Sequence, residues 1–155
     1  MDDIQRLIAI EDIKQLKARY FRGMDLKDRG LLESIFTEDA IADYRGATTD
    51  RRTGEAVVAA TETVIEGRDA IVALMIGAGK IANTVHHGSI PEIDIVDEHH
   101  ATGIWPMTDR LLFDGGSPAQ ELIGFGHYYE DYEKLDGHWK IRAIRLTRLR
   151  VDVIA

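Results

Sequence analysis

Five side chains spread along the chain could run acid–base chemistry if the fold brings them to one point: Tyr20, Asp25, one histidine of the His86-His87 doublet, Asp109 and Arg145. An imidazole exchanges protons near neutral pH, a carboxylate can hold its tautomer, and a phenol or guanidinium can steady a developing negative charge. Two of the five stand out by position. Between Trp139 and Val153, every second residue is Trp139, Ile141, Ala143, Arg145, Thr147, Leu149, Val151 and Val153, an apolar strand face carrying one arginine. Arginine has no usable neutral form, so this placement implies a partner carboxylate, a wet pocket or an anionic ligand. The alternate positions Ala101, Gly103, Trp105, Met107, Asp109 and Leu111 repeat the anomaly with the opposite sign. Three readings stand side by side: a hollow interior exposing both charges, a structural ion pair in a solid core, and a bulge or twist that lets Arg145 reach water.

Two carboxylates and an imidazole also form a metal-ligand set, but no close-spaced pattern such as His-x-x-x-His occurs, and the chain has no cysteine. Neither a metal nor a cofactor is expected. Composition narrows the rest: 155 residues, 45% hydrophobic and 30% charged, suit one globular domain spanning residues 1–155. A net charge of −8 argues against a nucleic-acid or anionic-membrane partner, although basic residues cluster between Lys140 and Arg150. The N-terminal stretch is polar and no apolar run reaches membrane-spanning length, so a cytoplasmic location is expected.

The elements that must position these groups follow from hydrophobic periodicity. Ile4, Leu7, Ile8, Ile13, Leu16, Tyr20 and Met24 recur at helical spacing, giving a long amphipathic helix over residues 3–24 that Gly23 weakens near its end. Asp28 then reads as the N-cap of a short second helix. Residues 40–44 read as a short strand, residues 45–54 as a polar loop over the interior, and residues 67–75 as a third helix; residues 57–65 are ambiguous between strand and helix. From Asn83 the period changes to two. Four runs, at about residues 84–96, 101–113, 120–134 and 139–153, are separated by Asp97-Glu98, Asp114-Gly115-Gly116 and Asp136-Gly137. Pro106 interrupts the second run and makes the alternation beyond it less secure. Helices first and hairpin-linked strands later predict an α+β fold.

The stretches Ala9 to Asp25, Ile35-Phe-Thr-Glu-Asp-Ala, Thr84-Val-His-His-Gly, Gly103-Ile-Trp-Pro-Met-Thr-Asp, Tyr128-Tyr-Glu-Asp-Tyr and Asp136-Gly-His-Trp-Lys-Ile, in that order and spacing, resemble the SnoaL-like branch of the nuclear transport factor 2-like superfamily. The resemblance covers nearly the whole chain. It implies a curved antiparallel sheet with about three helices enclosing a cone-shaped cavity. It also implies an affinity with scytalone dehydratase, bile acid 7α-dehydratase and hexachlorocyclohexane dehydrochlorinase, lyases that work without a cofactor. By that resemblance the catalytic candidates are Tyr20, Asp25, His86, Asp109 and Arg145. His86 is taken over His87 because the family pattern puts its histidine first. Tyr44, Trp105, Met107 and Tyr128 are the candidate pocket residues. The implied activity is a dehydratase, isomerase or cyclase acting on a small hydrophobic, hydroxylated cyclic substrate, with His86 as base held by Asp25. A homodimer through the sheet's outer face is expected, motivated by Ile144 and Leu146 among its charges. The competing reading is a non-catalytic small-molecule-binding or dimerisation module of the same fold.

Overall fold

A computed structural model describes residues 1–56, 63–77, 81–113 and 120–155, apart from the side chain of Ala82. Helix α1 (Asp3–Leu26) opens on a capping box: the Asp2 carboxylate accepts from Gln5 N–H at 2.8 Å, and the Gln5 side chain accepts from Asp2 N–H at 2.9 Å. Its buried side is Ala9, Ile13, Leu16, Lys17, Tyr20 and Gly23. Ile4, Leu7 and Ile8 continue the helical pattern but lie exposed on its first turns. Gly23 does not end the helix. A Cβ there would come within 2.9 Å of Leu32, so glycine lets α2 (Arg29–Ile35) close against α1. Asp28 caps α2 as expected, accepting from Leu31 N–H at 3.0 Å.

Strand β1 (Phe36–Asp43) follows directly, and β2 (Val64–Glu66) pairs with it; α3 (Arg68–Gly77) lies against β1. The remaining strands are β3 (Ile81–Gly88), β4 (Glu92–Ile95), β5 (His100–Phe113), β6 (Glu121–Leu135) and β7 (His138–Ile154). The sheet runs β2-β1-β7-β6-β5-β3, with β4 also on β5. It is curved and unclosed, and antiparallel except for the parallel β1–β7 pair, so the α+β cone is built on a mixed sheet. Residues 57–62 of the ambiguous segment and the Asp114-Gly115-Gly116 turn lie outside the described residues. The Asp136-Gly137 turn has φ of 50° and 79°, the left-handed pair that a two-residue hairpin turn requires.

The first β run is two strands. β3 pairs with residues 107–113 of β5 and β4 with residues 101–104, and the break falls opposite Pro106, which has no N–H to donate. On its other edge β5 pairs with β6 without a register shift through Pro106. The decisive irregularities are in β7. Its register with β6 slips between Asp131 and Tyr132 and again between Phe125 and Gly126, leaving Arg142 and Leu149 as extra residues. Each slip reverses the alternation. Trp139 and Ile141 face inward, then Ile144, Leu146 and Arg148, then Val151. Gly126 makes the second slip sterically feasible, because a Cβ there would lie 1.9 Å from the Thr147 carbonyl oxygen. Ile144 and Leu146 are therefore core residues, 1% and 5% exposed, and no longer argue for an apolar outer face.

Candidate active site

Asp25, in the last turn of α1, points across to β3, where it accepts three hydrogen bonds. His86 Nδ1 lies 2.6 Å from Oδ1, the Thr84 hydroxyl donates to Oδ1 at 3.0 Å, and the His86 backbone N–H donates to Oδ2 at 3.1 Å. Strand parity decides between the two histidines: Thr84 and His86 are buried, while Val85 and His87 are exposed. Phe21, one helical turn before Asp25, stacks on the imidazole with ring centroids 6.3 Å apart and 17° between planes. Burial opposes the negative charge of Asp25, but the bonds from His86 and Thr84 outweigh it and hold the carboxyl below its usual range. With Nδ1 held, the ring nitrogen available to a ligand is Nε2.

Asp109 stands directly across from His86 in the β3–β5 register and is 2% exposed. Its partner is Arg148, not Arg145. Arg148 Nη1 and Nη2 donate to Oδ1 and Oδ2 at 2.9 and 2.7 Å, a bidentate pair, and Nε donates to the Ala47 carbonyl at 2.6 Å. Arg145 lies on the outer face with its side chain 62% exposed, 3.9 Å from Asp43. The bulge at Arg142 accounts for the reversal, since it moves every inward position from 144 to 148 onto the other parity. The signal in the sequence was Ile144 and Leu146, which interrupt the charged face and share parity with Arg148. Gly124, on the neighbouring strand, leaves room for the pair: a Cβ there would sit 2.3 Å from both Arg148 Nη1 and Asp109 Oδ1.

His86, Asp109 and Arg148 line one cavity with Tyr20, Tyr44 and Tyr128, walled by Met24, Met75, Ile81, Leu111 and Leu146, with a volume of about 140 Å³. Tyr20 packs edge-on against Tyr128 at 5.6 Å. Burial, then the neighbouring phenols, pushes Tyr20 well above its ordinary pKa; burial acts first on Tyr44 and Tyr128 too and raises both, so all three stay protonated donors. Tyr44 and Tyr128 thus lie where expected. Trp105 and Met107 are buried but do not line the cavity: Trp105 Nε1 donates to the Tyr132 hydroxyl at 2.8 Å, and the Met107 sulfur is 3.3 Å from Arg148 Nη1. Among the described residues no group of three or more His, Cys, Asp or Glu side chains could hold a metal. No described helix is long and apolar enough to cross a membrane.

Sequence reasoning missed a second polar network beneath the tyrosines. Lys17, 0% exposed, bonds Glu130, which accepts from the Tyr132 hydroxyl at 2.5 Å. Its ammonium lies 3.7 Å from the Tyr128 ring centroid and 4.0 Å from that of Tyr20. Burial pulls Lys17 down to about 8, with Glu130 opposing. The available signal was spacing, for Lys17 lies four residues after Ile13 and three before Tyr20 on the buried stripe. Lys27, at the cavity wall, was also missed.

Among solved structures, a proposed scytalone dehydratase from Novosphingobium aromaticivorans is similar at 22% identity, over 97% of this chain and 91% of that one, with a TM-score of 0.80. A type 2 hexachlorocyclohexane dehydrochlorinase matches at 21% identity, 99% and 94% coverage and TM-score 0.78. The type 3 enzyme from Novosphingobium barchaimii matches at 20% identity, 99% and 95% coverage and TM-score 0.76. These likenesses establish a common fold. The SnoaL-like domain model matches residues 5–145, the stretch that carries the Asp25–His86 pair and the cavity tyrosines Tyr20, Tyr44 and Tyr128, and the protein belongs to the SnoaL-like domain family.

Proposed function

We propose that the protein is a lyase of the dehydratase type, removing water from a small hydrophobic, hydroxylated cyclic substrate by proton abstraction and elimination on protein side chains alone. The observation that carries this reading is the 2.6 Å contact between Asp25 and His86 Nδ1, which leaves Nε2 as the basic nitrogen of a buried imidazole. Nε2 takes a proton from a substrate carbon, and Asp25 stabilises the imidazolium that forms. The electron pair of the broken C–H bond becomes the new double bond as the C–O bond breaks, and the imidazolium proton leaves with the hydroxyl as water. Tyr20, Tyr44 and Tyr128 donate to an oxygen that gains negative charge. Both carboxylate oxygens of Asp109 are engaged by Arg148, which favours an orienting role over proton donation. The names of the similar structures, dehydratase and dehydrochlorinase, both denote eliminations.

The test is a panel of hydroxylated steroid, terpenoid and aromatic compounds, followed for loss of water by mass spectrometry. His86→Ala should lower the observed rate by about 10²–10⁴-fold, the usual contribution of a positioned base. An unchanged rate would remove His86 from the mechanism. Compounds that bind but never turn over would support the alternative of a small-molecule-binding module.

A further inference from the structure

Among the described residues two cations line the cavity, Lys27 and Arg148. Arg148 is already engaged: Asp109 accepts from Nη1 and Nη2, the Ala47 carbonyl accepts from Nε, and the Met107 sulfur lies against Nη1. Lys27 is not. Among the described residues its ammonium meets only the Met75 carbonyl and the Thr84 hydroxyl, each at 3.5 Å, the outer limit of a hydrogen bond. Burial pulls its pKa below the usual lysine value, and Asp25, whose oxygens are bonded by His86 and Thr84, opposes this through space. The backbone adds a second observation. Lys27 caps α1 in the left-handed conformation, φ 54° and ψ 35°, a position that glycine or asparagine normally takes. A long cationic side chain is thus held at the cavity wall in a backbone state that disfavours it, with no carboxylate in contact among the described residues.

We propose that Lys27 anchors an anionic group of the ligand, so that the site selects a compact apolar ring bearing a carboxylate. This deepens the reading of the cavity as the active site and rests on it. The apolar walls formed by Met24, Ile81 and Leu111 take the ring, and Lys27 supplies the charge that Arg148 has committed to Asp109. Thr84 accepts from Lys27 and donates to Asp25, placing the ammonium two hydrogen-bond links from the carboxylate that holds His86. The acid group therefore lies beside the base, and Lys27 acts as a specificity-determining residue.

Isothermal titration calorimetry of the full chain with cyclohex-1-enecarboxylate and its primary amide tests this, since the two probes share a shape and differ in charge. The carboxylate should bind roughly tenfold tighter or more, the usual advantage of a hydrogen bond to a charged group. Lys27→Met should abolish the preference while the amide still binds, which shows an intact pocket, and Lys27→Arg should retain it. Equal affinities in the native protein, no carboxylate binding, or a preference surviving in Lys27→Met would each overturn the anchor. The readout involves no turnover, so its failure leaves proton abstraction by His86 standing, and an inactive His86 assignment leaves the anchor to be judged on its own data.

Discussion

Arg145 and Arg148 are three residues apart on β7, and their removal should have opposite consequences for stability. Arg148 and Asp109 are both 3% exposed at the side chain and paired at 2.7 Å. Arg148→Met strands a buried carboxylate, and a cost of about 3–5 kcal/mol is expected from urea unfolding. Arg145 is 62% exposed and 3.9 Å from its partner, so Arg145→Ala should cost no more than about 0.5 kcal/mol. Equal costs for the two would mean that the strand parity is wrong. Sequence alone read the anomaly correctly at Asp109 and misassigned its partner by three residues, because alternation was carried unbroken through a strand that bulges twice.

At the scale of elements, β7 works as three short segments of alternating strand joined by bulges, each with its own support. Gly126 accommodates the Thr147 carbonyl at the second bulge, and beyond it Val151 N–H donates to Asp50 of the 44–56 loop at 2.9 Å. Asp50 also holds Arg52, and the Ala47 carbonyl takes Arg148, so the loop is tied to the strand that carries the site. Asp50→Ala should release it, seen as faster amide exchange at Val151 and through residues 44–56 with the helices unaffected. Gly124→Ala tests the space for the ion pair. A Cβ at 2.3 Å from both charged groups forces them apart, with an expected loss of about 3 kcal/mol. Combined with Arg148→Met the two costs should be far from additive, because both break one interaction. Additive costs would show that Gly124 matters for some other reason.

For the molecule as a whole, burial holds four phenols of the interior protonated. Tyr20, Tyr44, Tyr128 and Tyr132 are all raised above the ordinary value of 10, burial being the first cause in each. For an acid raised by folding, the native state binds more protons than the unfolded chain once pH exceeds the unfolded value. The associated stability is complete below pH 10 and lost as pH climbs above it. Unfolding midpoints in urea should therefore fall steeply above pH 10, with phenolate absorbance appearing together with unfolding. Phenolate absorbance from these four residues well before unfolding would contradict their burial. Lys17 works the other way: its value falls from 10.5 to about 8, so below about pH 8 the native state bears the full cost of a buried ammonium, and stability from this group rises between the two values. Replacing Lys17 with Met should remove that rise from the pH profile.

The helical α1, the Asp28 cap, the third helix, the hairpin at Asp136-Gly137 and the α+β class were legible in the chain from local spacing, whereas the three-residue β2 and the division of one run into β3 and β4 were not. Alternation also marked Asp109, a carboxylate on an apolar strand face, whereas Tyr20, Asp25 and His86 were singled out by the family resemblance. Tertiary structure alone decided that His86 rather than His87 turns inward, that Arg148 rather than Arg145 meets Asp109, and that Lys17 finds Glu130, 113 residues away. Those outcomes depend on inter-strand register, where one extra residue exchanges the two faces, and on pairings between distant segments. Neither leaves a periodic trace in a single sequence.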